Sequence, residues 1–140
     1  MELNESLFKY LSSYAGVSAL VGEKIYKEFS LANPSDNTPY ITFSLVSEGE
    51  IDTFEQPTTG LISSMYQFDV WAKSRSSATS VSKQLRKAFK NLKGQIGGAE
   101  GVTLSAVKKV SRTTDIEEKN GLIIAFRDMQ EFEIWHYETT

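Results

Sequence analysis

At 140 residues, with 40% hydrophobic and 11% aromatic content, the chain reads as one globular domain spanning 1–140 with a self-sufficient core, not as a disordered segment. With no cysteine, a disulfide framework, thiolate catalysis and cysteine-ligated zinc are excluded, and a net charge of −3 argues against strong free-standing binding to nucleic acid. The opening MELNESLFKYL lacks the basic region and apolar core of a signal peptide, and no apolar run approaches the ~20 residues of a membrane helix, so a soluble chain with no membrane partner is expected.

In chain order, Asn4 can cap a helix that carries Leu7, Phe8, Leu11, Tyr14 and Ala15 on one side and ends at Gly16. A short turn is expected at Ser18 to Val21, closed by Gly22, and then a short strand from Ile25 to Leu31. The breaker cluster Asn33 to Pro39 is a loop. Tyr40 to Ser47 alternates, with Ile41, Phe43 and Leu45 on one face. Glu48 to Gly60 holds two glycines, a proline and four acids without a period, and reads as a long arm between antiparallel strands.

From Ile62 to Ala72 the even positions Ile62, Tyr66, Phe68, Val70 and Ala72 are apolar, whereas Ser63, Gln67 and Asp69 alternate with them. A strand with one buried face follows. The period then changes. Ala78, Val81, Leu85, Ala88, Phe89 and Leu92 share one helical stripe, so Ser74 to Lys93 predicts one long helix of about 30 Å, capped by Ser74 or Ser77 and stopped by Gly94. Gly94 to Gly101 reads as a flexible connector. Val102 to Ser111 is a strand, and Ser111 to Gly121 a polar loop. Leu122, Ile124, Phe126, Phe132 and Ile134 share a parity that Met129, Trp135 and Tyr137 do not, which predicts a long final strand to Tyr137 with a bulge near Asp128. The fold class is therefore α+β: a mostly antiparallel sheet of four to five strands, with an N-terminal helix and one long helix packed on it.

Chemistry is conspicuously missing. His136 is the only histidine, so no nucleophile–base pair of the usual type can be built, and a surface or interface position is expected for it. Gly94, Gly97, Gly98 and Gly101 match neither a phosphate loop nor a dinucleotide fingerprint. Asp69, outward-facing beside Trp71, is expected to hydrogen-bond a neighbouring strand or subunit. No enzyme activity, cofactor or metal is expected.

Charge layout says more. Residues 28–72 carry seven acids and no Lys or Arg, residues 73–112 ten Lys/Arg against Glu100 alone, and residues 113–140 seven acids and two bases. Lys83, Arg86, Lys87, Lys90 and Lys93 decorate the long helix away from its apolar stripe. A solvated helix face, a docking surface for an acidic neighbour and a DNA contact are the three readings. The second makes Glu48, Glu50, Asp52 and Glu55 on the arm, with Lys83, Arg86, Lys87 and Lys90 on the helix, the candidate subunit or partner interface.

The chain resembles the tail completion, or head–tail joining, family of long-tailed bacteriophages and prophages. The likeness rests on Val17 to Tyr26 (VSALVGEKIY), Pro39 to Phe43 (PYITF), Gln67 to Ala72 (QFDVWA) before the long helix, and Gly121 to Trp135 with its closing FEIW, in this order along nearly the whole chain. Lys27 stands where the family pattern often has proline. The resemblance implies a non-enzymatic tail-terminator protein of the virion neck, made in the host cytoplasm. It would form a ring, usually a hexamer, that caps the tail tube, contacts the tail tube protein and the head connector, and passes DNA through its lumen. The alternatives are another neck or capsid-associated component, or a small DNA-binding regulatory domain.

Overall fold

The alternation centred on Phe68 and the helical stripe that follows it set the architecture. In the computed structural model, which describes residues 2–27, 38–50 and 60–137, the helices are α1 (Leu3–Ser13), α2 (Ala15–Val21) and α3 (Arg75–Phe89). The strands are β1 (Ile25–Lys27), β2 (Tyr40–Glu50), β3 (Leu61–Ala72), β4 (Gly94–Gln95), β5 (Thr103–Lys119) and β6 (Leu122–Tyr137). The architecture is α+β, with six strands rather than four or five, in the order β1-β2-β3-β6-β5-β4. Neighbours are antiparallel except β1 and β2, which are parallel. The sixth strand is β4, formed where the glycines predicted a connector.

Even residues of β3 from Ser64 to Ala72 are buried under the helices, and the odd ones lie half-exposed on the opposite face. The apolar stripe of α3 settles on them. Phe89 packs 4.7 Å from Phe132 and 5.0 Å from Phe68, centroid to centroid, and Phe68 lies 5.4 Å from Phe43. Ser74 caps α3, its Oγ accepting from the Ser77 amide at 3.1 Å. The helix stops earlier than predicted: Lys90 turns extended (ψ 122°) and Asn91 enters the left-handed region, because Gly94 is needed in β4 opposite Leu104.

At the N-terminus the predicted cap and stop both differ. No side chain caps α1; Asn4 instead accepts a hydrogen bond from the Tyr66 hydroxyl. Gly16 lies inside α2, where a Cβ would collide with the Gln84 side chain of α3. Gly16 does not end the first helix, and the stretch read as a turn is helical from Ala15 until Gly22 at φ 62°. Of the strand expected from Ile25 to Leu31, β1 covers Ile25–Lys27, and residues 28–31 lie outside the described residues.

Three readings of the C-terminal half are corrected. The polar stretch from Ser111 to Gly121 is no loop: β5 runs on to Lys119 and turns through Asn120 (φ 54°) and Gly121 (φ 79°) into β6, a two-residue hairpin turn of the kind that suits the twist of paired strands. There is no bulge near Asp128. β6 pairs with β3 in unbroken register from Phe126 to Tyr137, and Asp128, Gln130 and His136 share the buried parity with Phe132 and Ile134. The register shift in that strand lies at Ile124. Nor is the glycine-rich segment an unstructured connector. The Ile96 amide donates to Val102 O, Gly101 to Gly98 O, and the Val102 amide to Ser6 Oγ of α1.

Candidate assembly surface

Acids from the predicted arm begin inside a strand. Glu48 and Glu50 are exposed at the end of β2, opposite Ser64 and Ile62 of β3. Asp52 and Glu55 lie outside the described residues. Glu48 also borders a polar cleft of about 360 Å³ lined by Asn4, Tyr66 and His136. Behind His136, Ser64 Oγ lies 2.8 Å from His136 Nε2 and 3.5 Å from Glu48 Oε2. His136 is buried, not at the surface as expected, because its parity on β6 points it beneath the helices. Burial pushes its pKa below the ordinary value, partly opposed by the Glu48 carboxylate. The serine hydroxyl is not set up as a nucleophile, because the acid contacts the serine and not the imidazole.

On the opposite flank the basic residues converge from two elements. Lys83, Lys87 and Lys90 are exposed, and Arg86 is half-buried. Arg86 and Lys90 meet Lys109 of β5 around a cleft of about 320 Å³ that also touches Phe89, Val107 and Phe132. The sequence-based reading places the basic helix face correctly but misses its continuation onto Lys108 and Lys109 of β5, both exposed.

Between these flanks the open sheet face carries a row that crosses the strands. Tyr40 stacks on Trp71 (6.1 Å, 12° between planes), and the Arg127 guanidinium lies 4.8 Å above the Trp71 ring. Arg127 donates to Asp69 at 2.9 Å, so Asp69 does bind a neighbouring strand as expected. Burial raises the Tyr40 pKa, with Tyr26 and Glu117 adding to the shift. On the helix side, Arg112 grips the fully buried Asp128 carboxylate through three hydrogen bonds of 2.6–3.1 Å, which hold the base of the β5–β6 hairpin. Gln130 likewise donates to Ser82 of α3.

Beyond that clamp the hairpin projects from the core. From Val110 to Ile124 nearly every residue is exposed or half-exposed, including Val110, Ile116, Leu122 (70% exposed), Ile123 and Ile124. The sequence signal for this arm was the Asn120-Gly121 pair, a strong hairpin marker.

Among the described residues no group of His, Cys, Asp and Glu could hold a metal, and no helix is long and apolar enough to cross a membrane. No family model and no curated protein matches the chain. Among solved structures, its fold is similar to a chain in the virion of a native gene transfer agent particle, with a TM-score of 0.61 and 19% identity. The likeness covers 94% of this chain and 91% of that one.

Proposed function

We propose that this chain is a structural, non-enzymatic component of a phage-like virion that completes the tail and joins it to the head. The observation that carries this reading is the fold likeness to a virion chain over almost the full length of both proteins. On this reading subunits close into a ring, a hexamer, at the head–tail junction. The ring caps the tail tube, offers its other side to the head connector, and lets DNA pass through the lumen without gripping it.

The surface fits such work. A ring built from head-to-tail contacts needs two different complementary patches on each subunit. Glu48 and Glu50, with Asp52 and Glu55 beyond them in sequence, supply an acidic one; Lys83, Arg86, Lys87 and Lys90 supply a basic one. The apolar hairpin gives the assembly something to bury. Native mass measurement of the purified chain, alone and mixed with the tail tube protein, tests the proposal. A closed oligomer that binds tube ends supports it; a monomer that ignores tubes and binds duplex DNA with steep salt dependence overturns it.

A further inference from the structure

Among the described residues, β5 has no strand on its outer side beyond Leu104, because β4 pairs only with Thr103 and Leu104. From Lys108 to Ile116 every residue along this edge is exposed. The segments outside the described residues are too short to reach it. Residues 1, 51–59 and 138–140 join the chain at the end of the sheet that holds Leu61, His136 and Tyr137. Leu104 pairs with His136 at that end, and Thr113 lies about 30 Å further along β5. Residues 28–37 join β1 to β2, and the outer side of β5 is four strand spacings, about 19 Å, from β2. No residue of 28–37 or 51–59 is more than five residues from a described anchor, about 17 Å at full extension.

This edge is complementary to itself. The Ile116 amide points away from β6 and donates to Asp115 Oδ1 at 2.8 Å. By strand alternation Thr114 and Arg112 also turn their amides and carbonyls outward. A two-fold axis through Thr113 therefore sets Arg112 of each copy opposite Thr114 of the other, in hydrogen-bonding register. The side chains fall on matching faces. Ser111, Thr113, Asp115 and Glu117 lie on the open face with their β6 partners Glu131, Met129, Arg127 and Ala125, as does Lys108 with Glu133. Arg112 and Thr114 lie on the helix face with Gln130 and Asp128. Ser111 thus meets Asp115 of the other copy. Val110 is the extra residue of a bulge between Lys109 and Ser111. Counting past it, Lys109 and Val110 meet Ile116, and Lys108 meets Glu117 on the open face with Asp115 diagonal to it. Val110 and Ile116, 45% and 36% exposed, cover one another, and every contact occurs twice. An axis through Arg112 or Asp115 would instead set like charges opposite each other, so charge selects the Thr113 register. Edge lysines and a bulge keep other strands away, and in this arrangement both find partners.

We infer that two free copies of this chain pair antiparallel along β5, about a two-fold axis at Thr113, and join their sheets into one. The contact is isologous, so it differs from the head-to-tail ring contacts proposed above and does not depend on them. It describes the chain before a ring forms.

The chain has no cysteine, so a single introduced cysteine reports this contact without background. Opposite residues that do not hydrogen-bond each other have Cα atoms about 4.5 Å apart, within disulfide reach. Thr113→Cys should therefore give a covalent dimer and no larger species on a non-reducing denaturing gel. Lys119→Cys, exposed on the same strand but next to the hairpin turn and far from the axis, should stay monomeric there. In sedimentation equilibrium the parent should dimerise, with a Kd that rises about tenfold in Lys108→Glu. Lys108→Glu/Glu117→Lys, which restores both opposite-charge pairs, should recover most of that loss. A parent that is monomeric at every concentration overturns the pairing. Covalent dimers that form as readily from Lys119→Cys as from Thr113→Cys overturn it too. Rings seen by native mass, with no covalent dimer from Thr113→Cys, overturn it and leave the ring reading standing.

Discussion

Replacing Arg112 with methionine removes the only side-chain partner that the buried Asp128 carboxylate has among the described residues. Three hydrogen bonds of 2.6, 3.0 and 3.1 Å are lost, from a carboxylate that is 0% exposed. Removing one member of a buried pair costs about 3–5 kcal/mol, because the other charge is left without compensation. The Arg112 side chain is 31% exposed, so water can enter where it stood, and the lower end, about 3 kcal/mol, is expected. Urea unfolding followed by circular dichroism would read this as a midpoint lowered by about 1–2 M at an ordinary denaturant slope. Adding Asp128→Asn removes the stranded charge, so the double variant should return to within about 2 kcal/mol of the parent. If Arg112→Met alone falls within about 1 kcal/mol of the parent, the clamp does not hold the hairpin base and the reasoning fails.

Phe89→Ala should destabilise the fold by about 3–5 kcal/mol through lost burial and a cavity between Phe68 and Phe132, whereas Lys87→Ala should stay within about 0.5 kcal/mol. Equal thermal shifts for the two would contradict the packing of α3. His136 has a folded pKa below its ordinary value, so it is held neutral in the native state while the unfolded chain takes up a proton more readily. Its contribution is therefore fully present above about pH 6.5 and is lost as pH falls below that toward the folded pKa. Stability measured between pH 7 and 5 should decline less in His136→Asn than in the parent, and an unchanged slope would assign the acid sensitivity to other groups.

Legibility in the sequence followed burial. The strand–helix unit from Leu61 to Phe89 was readable because one face of each element is buried, which writes a period of two and then of 3.6 into the residues. Ser111 to Lys119 was not readable: a hairpin arm solvated on both faces has no reason to alternate, so a strand looked like a polar loop. The bulge expected near Asp128 does not form for the opposite reason: Asp128 and Gln130 keep the buried parity. They are polar residues at buried positions, made tolerable by Arg112 and Ser82, partners that are distant in sequence. His136 is the same case, with Ser64 beside it. Of the candidate interface, the charges of α3 were visible from their place off the apolar stripe. Their union with Lys109 depends on β5 lying beside β6, a neighbour relation that no local pattern encodes.

The central claim is that this chain joins heads to tails, and the joining reaction measures it directly. DNA-filled heads and finished tails from particles made without the chain are mixed with the purified protein, and joined particles are counted by electron microscopy. The account predicts that joined particles appear only when the chain is added. It also predicts that the folded variant Lys83→Glu/Lys87→Glu/Lys90→Glu fails to support joining. Equal yields of joined particles with and without the chain would contradict it.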